Sequence, residues 1–289
     1  MIAVDWGTSS FRAFRLQGAR TLDHVSSDRG IMRIEPGGFE ATLRAAVGPW
    51  LALGESHILM SGMIGSRQGW AEAAYLPCPA DAAALAARLL RVPFDGAELR
   101  IVPGLQATDA GGTPEVMRGE ETQIIGSDAA GLVCLPGSHS KWAQVGDAGE
   151  ILGFHTYLSG EAFAAIRAAT ILGRMMPDAA PDDAAFDRGV ARSGAEGHLL
   201  HHLFGVRTLG LMGELAPEQS ASYLSGLLIG HEIRSAMPAG ASVTLLGSAG
   251  LCALYGRAIA ACGGTPLPGP PMDAAARGLS LIGQMTAWT

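Results

Sequence analysis

A strand–turn–strand pattern occurs twice in this chain of 289 residues and restricts the folds that it can adopt. In the first copy, the apolar segment Ile2-Ala3-Val4-Asp5-Trp6 leads into the small-residue turn Gly7-Thr8-Ser9-Ser10. In the second copy, an apolar segment at residues 131–135 leads into the turn Pro136-Gly137-Ser138-His139-Ser140. A segment with the pattern of a return strand follows each turn. Gly7 and Gly137 are about 130 residues apart, which far exceeds the period of solenoid repeats and indicates a duplicated domain.

The length and composition agree with two folded domains. A chain of 289 residues is long enough for two lobes that each bury a core. Hydrophobic residues make up 48%, charged residues make up 16%, and 40 residues are glycine, a balance typical of α/β enzymes with many tight turns. We therefore predict that residues 1–126 form a first domain and residues 127–289 a second.

Charge and hydropathy argue against several classes of partner. A net charge of -7 opposes nucleic-acid binding, which depends on clustered Lys and Arg. The longest apolar stretches, such as residues 129–135 and 224–230, are far shorter than the ~20 residues that a membrane span needs. The chain begins without the basic region and cleavage site of a secretory signal, which favours a cytoplasmic location.

The periodicity of the other segments predicts further elements. We predict strands at residues 31–34, 57–60, 99–102, 151–158 and 243–246. We predict helices at residues 38–53, 80–91, 119–126, 161–172, 220–237 and 273–284, and one that follows residues 247–250 and ends near residue 262. Residues 177–187, rich in Ala, Pro and Asp, predict an exposed connection, and the Gly and Pro residues of 263–271 predict a loop.

The two turns have the chemistry of phosphate-binding segments. Small residues directly after a buried strand let backbone N–H groups and hydroxyls approach phosphate oxygens closely. Asp5 lies at the strand end, where a carboxylate can hold Mg²⁺ through water, and Lys141 adds a positive charge. One such turn alone is more often an ordinary hairpin, but the repeated pair favours two turns that grip one polyphosphate. The candidate phosphate-binding residues are Asp5, Gly7, Thr8, Ser9, Ser10, Arg12, Gly137, Ser138, His139, Ser140 and Lys141.

Signatures of other nucleotide-binding and hydrolytic architectures do not occur in the sequence. It contains no G-x-x-x-x-G-K-[ST], no G-x-G-x-x-G and no G-x-S-x-G. The P-loop, dinucleotide-binding and nucleophile-elbow interpretations therefore have no motif, which leaves phosphoryl transfer through another architecture.

Five blocks of sequence together resemble one enzyme family. They are V-D-W-G-T-S-S-F-R-A-F (4–14), M-S-G-M-I-G-S-R-Q-G-W (60–70), V-M-R-G-E-E-T-Q-I-I-G (116–126), L-P-G-S-H-S-K-W (135–142) and T-Y-L-S-G-E-A-F (156–163). As a set they resemble the 2-dehydro-3-deoxygalactonokinase family, over essentially the whole chain. Threonine would be about as typical as serine at Ser9 and Ser138, but both residues keep the hydroxyl.

This resemblance implies an α/β fold with two ribonuclease-H-like lobes of the actin-like ATPase class and an interdomain ATP cleft. It implies that ATP, with Mg²⁺, phosphorylates the C6 hydroxyl of 2-dehydro-3-deoxy-D-galactonate in galactonate catabolism. The first lobe would hold the acceptor site, and the second would hold the adenosine side, at Gly247 and Ser248 after a predicted strand. A generic strand-to-helix turn explains Gly247 and Ser248 almost as well. The partner is then a small sugar acid, and the sequence leaves the oligomeric state open while permitting a homodimer.

Phosphoryl transfer to an alcohol needs a group that accepts the alcohol proton. Glu120 and Glu121 are adjacent at the start of a predicted helix and resemble the Glu-Glu-Ala segment of exopolyphosphatases, in which a glutamate activates the nucleophile. Glu121 is our first choice for the base, and Asp5 is the metal-binding member of the catalytic set. Because acidic residues also favour helix N-termini through the helix dipole, the alternative of a purely structural pair stays open.

The acceptor carries a carboxylate and a ketone, so its site should contain a cation with planar donors, for which Arg is better suited than Lys. Arg67 is the candidate, in a segment rich in Gly and Ser where Trp70 can form an apolar wall. Ser61 and Gly62 complete the predicted acceptor site. A surface arginine on a mobile loop is an equally good explanation of Arg67.

Other functions share these sequence features. The gluconate epimer of the acceptor differs by hydrogen bonds that the sequence does not reveal. A phosphohydrolase of the exopolyphosphatase type would use the same turns and glutamates on water. An actin-like filament or regulatory ATP-binding module would keep both turns without an acceptor site.

Overall fold

The computed structural model describes residues 1–270 and 273–289. The strands are β1 (Ile2–Trp6), β2 (Phe11–Gln17), β3 (Arg20–Ser27), β4 (His57–Ser61), β5 (Leu76–Pro77), β6 (Leu90–Val92), β7 (Glu98–Ile101), β8 (Leu105–Thr108), β9 (Pro114–Met117), β10 (Gly131–Leu135), β11 (Ser140–Val145), β12 (Ile151–Tyr157), β13 (Ser242–Leu245) and β14 (Thr265–Pro268). The helices are α1 (Phe39–Ala52), α2 (Ala82–Ala86), α3 (Glu120–Ser127), α4 (Ser159–Ala169), α5 (Asp183–Ser193), α6 (Leu199–Leu211), α7 (Pro217–Ala236), α8 (Ala249–Ala261) and α9 (Ala274–Gln284). In the described part of the chain, no helix is both long and apolar enough to cross a bilayer.

The chain divides into two compact units. The first unit consists of Met1–Gly131, Ala143–Phe154 and Gly269–Thr289, and the second of Leu132–Trp142 and His155–Pro268. The predicted boundary after residue 126 lies close to the first crossing between units, but a single boundary does not describe the division. The chain returns to the first unit twice, once through a bridge between Ala80 and Ile151 and once through its C-terminal helix.

The sheet of the first unit places two strand ends side by side. Its order is β3-β2-β1-β4-β7-β6, in which β1 and β4 are parallel neighbours and β1 and β2 form the predicted antiparallel hairpin. In the register of β1 and β4, Asp5 lies opposite Ser61. Because carboxyl ends of adjacent parallel strands meet at one edge, residues that follow either strand share a site. Helix α1 packs on this sheet through the stripe Phe39, Leu43, Val47 and Trp50.

Helix α9 belongs to the first unit because two glycines let it approach α3 closely. A methyl group added at Gly278 would lie 1.8 Å from the carbonyl oxygen of Thr122. One added at Gly126 would lie 1.8 Å from the carbonyl oxygen of Ala274. Both distances are far below van der Waals contact, so the two backbones touch where side chains would otherwise separate them. The C-terminal helix therefore fixes the position of α3, which carries both candidate glutamates.

We expect Gly278→Ala to destabilise the protein by at least about 1–3 kcal/mol, because the added methyl group overpacks the contact between the two helices. The matched control is Gly205→Ala within α6, where no atom lies within 4 Å of the new methyl group. This control should be neutral or stabilising by up to ~1 kcal/mol through helix propensity. Thermal unfolding of both variants checks the prediction, and equal midpoints would contradict it.

Strands β10, β13 and β14 of the second unit belong to a sheet ordered β12-β11-β10-β13-β14. Strand β10 is parallel to β13, and β13 is parallel to β14. The core of the second unit contains Phe186 and Val190 of α5, Ile229 and Ile233 of α7, and Ile259 of α8. The predicted hairpin at residues 131–145 is confirmed as β10 and β11, and the predicted helix that follows residues 247–250 is confirmed as α8.

Three predicted elements were wrong. Residues 31–34 form a 3₁₀ turn, Ile31–Arg33, and the third strand is instead β3, whose side chains are mostly exposed and carry no hydrophobic alternation. The predicted helix at 80–91 is confined to α2, because Leu90–Val92 pairs with β7 and tertiary pairing overrides helix propensity. The predicted loop at 263–271 contains β14, an edge strand in which the missing N–H groups of Pro266 and Pro268 can face away from the sheet. Pro271 lies outside the described residues.

Two helices were missed or misassigned. The segment at residues 177–187, predicted as an exposed connection, leads into α5, whose Phe186 and Val190 are buried. Because the segment is rich in Ala and Asp, its short apolar stripe is not apparent in the sequence. Helix α6 and the small sheet of β5, β8 and β9 were not predicted.

Candidate active site

The turn between β1 and β2 is braced by hydrogen bonds from its own backbone and from the following 3₁₀ turn. The N–H of Gly7 donates to the carbonyl of Ser10 at 2.9 Å, and the N–H of Ile31 donates to the carbonyl of Gly7 at 3.0 Å. Thr8, Ser9 and Ser10 are exposed. A methyl group at Gly30 would lie 2.3 Å from the carbonyl oxygen of Thr8, so only glycine fits beneath the turn. The turn is held in one shape while its hydroxyls face solvent.

Asp5 and Arg12 form an ion pair behind this turn. Arg12 Nη2 lies 2.5 Å from Asp5 Oδ2, and Arg12 Nη1 lies 2.6 Å from Asp273 Oδ2. Burial raises the pKa of Asp5 above its usual value, although the neighbouring Arg12 opposes this shift. Arg12 therefore compensates part of the cost of a carboxylate at this strand end.

Two glycines in unusual backbone conformations bring three segments together next to Asp5. Gly62 follows β4 with φ of 93°, and a methyl group there would lie 2.7 Å from the carbonyl oxygen of Trp6 and 3.3 Å from Asp5 Oδ1. Gly119 precedes α3 with φ of 107°, and a methyl group there would lie 3.1 Å from Gly62 Cα. Residues other than glycine are strained at such φ values. The ends of β1 and β4 and the start of α3 thus converge without side chains in between.

Glu121 is fully buried at the start of α3. Its Oε2 accepts a hydrogen bond from the N–H of Gly119 at 2.7 Å, whereas its Oε1 is buried without a hydrogen-bond partner. Burial, followed by the charge of Glu120, raises the pKa of Glu121 to about 8. Glu120 is half-buried, and its Oε2 accepts from the N–H of Arg118 at 3.0 Å. Of the two glutamates, Glu121 has the environment typical of a proton-transfer group.

The raised pKa of Glu121 makes stability depend on pH. Because an unfolded glutamate has a pKa of about 4.3, the folded state binds its proton more tightly than the unfolded state. The stabilisation is complete below about pH 4 and is lost, at about 1.4 kcal/mol per pH unit, as pH rises towards the folded value near 8. We expect the unfolding free energy of the wild type to fall more steeply between pH 6 and pH 8 than that of Glu121→Gln. Parallel curves in chemical denaturation would contradict this.

The predicted acceptor residues occupy different environments. Ser61 is buried at the end of β4, and its Oγ lies 3.4 Å from Thr122 Oγ1 on α3. Trp70 packs into the apolar core, with its ring 6.5 Å from that of Phe39. The side chain of Arg67 is 87% exposed and lies 3.4 Å from Glu72. Ser61 and Gly62 are therefore next to Asp5 and α3, whereas the guanidinium of Arg67 is in solvent.

The turn between β10 and β11 is closed by the start of α4. The N–H of Glu161 donates to the carbonyl of Ser138 at 3.0 Å, and His139 Nε2 lies 2.5 Å from Glu161 Oε2. A methyl group at Gly160 would lie 2.4 Å from the carbonyl oxygen of Gly137. Ser138 and His139 are exposed, as are the corresponding residues of the first turn.

A buried carboxylate supports this second turn from below. Ser140 Oγ lies 2.8 Å from the hydroxyl of Tyr255, which donates to Glu232 Oε2 at 2.9 Å. Trp142 Nε1 donates to Glu232 Oε1 at 2.8 Å. Burial raises the pKa of Glu232 despite these hydrogen bonds. Lys141, predicted as a charge beside the phosphate, is 5% exposed on β11, so it does not project from the turn into solvent.

A cavity of about 300 Å³ adjoins the second turn. Its walls come from Gly137 of the turn, from residues 179–182 and from helices α4, α5, α7 and α8, and most of the lining side chains are apolar or small. Helix α8 begins one residue after Ser248, and Gly247 is exposed with φ of 147°. The lining residues include Gly137, Ser159, Gly160, Phe163, Asp182, Ser225, Leu228, Leu251, Leu254 and Tyr255.

The sequence model of the 2-keto-3-deoxy-galactonokinase family matches residues 5–282, a range that contains both turns and both candidate glutamates. The chain belongs to this family. Two named kinases agree with the assignment. The Escherichia coli (strain K12) 2-dehydro-3-deoxygalactonokinase is 34% identical over 268 residues, covering 91% of this chain and 90% of the relative. The protein named probable 2-dehydro-3-deoxygalactonokinase DgoK1 of Rhizobium meliloti (strain 1021) is 39% identical over 270 residues, covering 89% and 88%.

Solved structures agree with membership of the galactonokinase family and with its fold. A crystal structure of a Sinorhizobium meliloti protein named for the same activity has a TM-score of 0.87 at 35% identity and covers 98% of each chain. The component A of (R)-2-hydroxyglutaryl-CoA dehydratase from Acidaminococcus fermentans has a TM-score of 0.50 at 11% identity, with 98% of each chain covered, and shows a likeness of fold alone. The predicted actin-like α/β fold is confirmed.

Three charged residues around the site of this 2-keto-3-deoxy-galactonokinase family member were not predicted from the sequence. Asp273 shares Arg12 with Asp5, Glu232 supports Ser140 through Tyr255, and Arg118 is buried beside the glutamates. The sequence gives one usable signal for Glu232, which is a charged residue inside an otherwise apolar helical stripe. The other two depend on contacts between segments that are distant in sequence.

Proposed function

We propose that this protein transfers the γ-phosphoryl group of ATP to the C6 hydroxyl of 2-dehydro-3-deoxy-D-galactonate, in cytoplasmic breakdown of galactonate. The observation that carries the proposal is the family match across residues 5–282. The environment of Glu121 supports it, because a buried carboxylate with one free oxygen is suited to accept a proton from an alcohol.

The second unit would bind the nucleotide. Its cavity has the mixture of apolar walls and a few polar groups that is typical of small-molecule sites. Gly137 borders that cavity. The turn formed by Gly137, Ser138, His139 and Ser140 would contact the phosphates, with the adenosine towards Gly247 and Ser248. The network of Glu232, Tyr255 and Ser140 would keep the turn in its binding shape.

The first unit would bind the acceptor and carry out proton transfer. The C6 oxygen forms a bond to the γ-phosphorus, the bond from that phosphorus to the β,γ-bridging oxygen breaks, and ADP leaves with the bonding electrons. The hydroxyl proton moves to Oε1 of Glu121. Backbone N–H groups and hydroxyls of the turn Gly7-Thr8-Ser9-Ser10 would position phosphate oxygens, while Ser61 and Gly62 would border the acceptor.

The residues present fit a magnesium ion. Mg²⁺ prefers hard oxygen ligands and is commonly held by one or two carboxylates together with waters and substrate phosphates. The carboxylate of Asp5 lies beside Gly62, at the end of β1 in the first unit. Asp5 would hold the ion through water. When bound, the ion neutralises charge that develops on the phosphate oxygens.

Incubation with Mg-ATP and a panel of sugar acids tests the proposal. We expect ADP release only when a 2-keto-3-deoxy sugar acid is present, with the galactonate compound preferred to its gluconate epimer. Phosphate release without any acceptor would contradict the proposal in favour of a phosphohydrolase or a regulatory ATPase. A preference for the gluconate compound would change the assigned substrate to that epimer and leave the assigned reaction, phosphoryl transfer from ATP, unchanged.

A further inference from the structure

Unpaired buried polar atoms gather in one part of the first unit. Among the described residues, four buried side-chain atoms of Ser66, Arg118 and Glu121 lack a hydrogen-bond partner, namely Ser66 Oγ, Arg118 Nε and Nη1, and Glu121 Oε1. Folded proteins pair nearly all buried polar groups, so such a concentration needs an explanation. Glu121 has one as a catalytic base, whereas the proposed reaction leaves Arg118 and Ser66 unexplained.

The guanidinium of Arg118 is fixed in orientation. The residue is 8% exposed and lies between β9 and Gly119. Its Nη2 donates to the carbonyl of Ala73 at 2.8 Å, and its Cζ lies 4.3 Å from the centre of the Tyr75 ring. A methyl group at Gly65 would lie 3.0 Å from Nη1. The guanidinium is thus stacked on the Tyr75 ring and held at Nη2 by the carbonyl of Ala73. The backbone at Gly65 covers it without a side chain.

We propose that Arg118 binds the carboxylate of the sugar acid, an assignment that rests on the proposed function. Because Nη2 carries two N–H groups and donates one to Ala73, one edge of the guanidinium keeps two adjacent N–H groups. Such an edge matches the two oxygens of a carboxylate in spacing and charge. Ser66 Oγ adds a hydroxyl donor on the same segment as Gly65. The acid then compensates a buried charge that the protein alone leaves incompletely paired.

The segment that covers Arg118 also sets how the acceptor enters. Between Gly65 and Leu76 the chain has neither a helix nor a strand, and Arg67, Gln68 and Glu72 are exposed. The free donors of Arg118 are enclosed beneath this segment, so the proposed carboxylate binding requires the segment to open and to close again over the acid. Closure of this kind excludes water from a phosphoryl-transfer site.

The exposed Arg67 offers a matched comparison. Arg67 lies within the covering segment and Arg118 lies beneath it, but of the two only Arg118 is buried with unused donors. We expect Arg118→Met to raise KM for the sugar acid about 10²-fold, whereas KM for ATP changes less than about threefold. Arg118→Lys keeps the positive charge but loses the pair of adjacent N–H donors of the guanidinium. It should therefore raise KM for the sugar acid about tenfold. Arg67→Met should change either constant less than about threefold.

Two further readouts separate carboxylate binding from a structural role. The wild type should prefer the acid to its neutral carboxamide by about 10²-fold in kcat/KM, and Arg118→Met should abolish this preference. Guanidinium ion added to Arg118→Ala should restore part of the activity towards the acid but not towards the carboxamide. An unchanged preference in folded Arg118→Met or Arg118→Lys, or loss of the preference in Arg67→Met, would overturn the assignment.

Calorimetric titration with the acid, without ATP, keeps failure of this inference distinct from failure of the proposed function. Binding to the wild type that Arg118→Met weakens about 10²-fold supports the carboxylate site even if no phosphoryl transfer is found. Equal binding by both proteins overturns the site and leaves the kinase activity unaffected. Absence of binding to the wild type overturns the inference.

Discussion

Replacing Glu121 with Ala is expected to lower kcat for the sugar acid by about 10²- to 10⁴-fold while KM for ATP changes little. The reason is the environment of its carboxylate, which is fully buried, has a free Oε1 and lies in the unit assigned to the acceptor. Steady-state kinetics with each substrate varied in turn measure both effects. Glu121→Gln keeps the shape of the side chain, so an equal loss of kcat in that variant would attribute the effect to proton transfer.

The neighbouring glutamate is the matched control for this prediction. Glu120 is half-buried, and its carboxylate accepts a hydrogen bond from the backbone of Arg118. Glu120→Ala should lower kcat less than about tenfold, through loss of the hydrogen bond from the backbone N–H of Arg118. A larger loss from Glu120→Ala than from Glu121→Ala would transfer the role of base to Glu120.

The pH dependence of the wild type offers a related check. Because the pKa of Glu121 is raised to about 8, the free enzyme has this carboxylate mostly protonated at neutral pH. We therefore expect kcat/KM to rise with pH through the neutral range, to reach half of its plateau near pH 8 and to level off above about pH 9. A flat profile between pH 6 and pH 8 would contradict a base with this pKa.

Replacing Asp5 with Asn should lower kcat by about 10²- to 10³-fold and raise the Mg²⁺ concentration needed for half-maximal rate. The substitution keeps the side-chain volume but removes a charge from the end of β1, next to Gly62. It also leaves Arg12 without its nearest carboxylate. Rates measured over a range of Mg²⁺ concentrations at saturating ATP check both effects.

Asp273 provides the control for Asp5, because it binds the other nitrogen of Arg12 at 2.6 Å. If Asp5 acts through the metal, Asp273→Asn should lower kcat less than about tenfold and leave the Mg²⁺ dependence unchanged. Equal losses from both variants would mean that these carboxylates act only by holding Arg12.

The sequence predicts well those elements in which the pattern of apolar and polar side chains shows which face is buried. Strands β1 and β10 are apolar segments followed by small-residue turns, and α1 carries a regular apolar stripe. The edge strands β3 and β14 differ, because edge strands have few buried side chains and tolerate proline. Their position in a sheet depends on the neighbouring strand rather than on their own pattern.

The same distinction applies to the candidate site. The turns and the glutamate pair are visible in the sequence because small residues and adjacent acids are unusual after apolar strands. For Arg67 the sequence shows an arginine in a suitable segment but not the exposure of its side chain. Whether Arg67 or Arg118 is buried depends on how the segment after β4 packs against the end of β9, a contact between residues 45 positions apart.

The burial of Glu121 likewise depends on a distant part of the chain. Helix α9 contacts α3 through Gly126 and Gly278, and no local pattern around Glu121 predicts this contact. For the same reason the single predicted domain boundary did not account for the C-terminal helix. Glycines inside two helices are a usable signal of close packing, although they do not identify the partner helix.

Nuclear magnetic resonance of the product tests the central claim most directly. The protein is incubated with Mg-ATP and ¹³C-labelled 2-dehydro-3-deoxy-D-galactonate, and the ¹³C resonances are followed as ADP forms. We predict that the C6 resonance splits through coupling to ³¹P in the wild type and does not split in the same time with Glu121→Ala. Inorganic phosphate accumulating while no carbon resonance couples to ³¹P, or coupling to ³¹P at C4, which is four bonds from a phosphate on C6, would contradict the account.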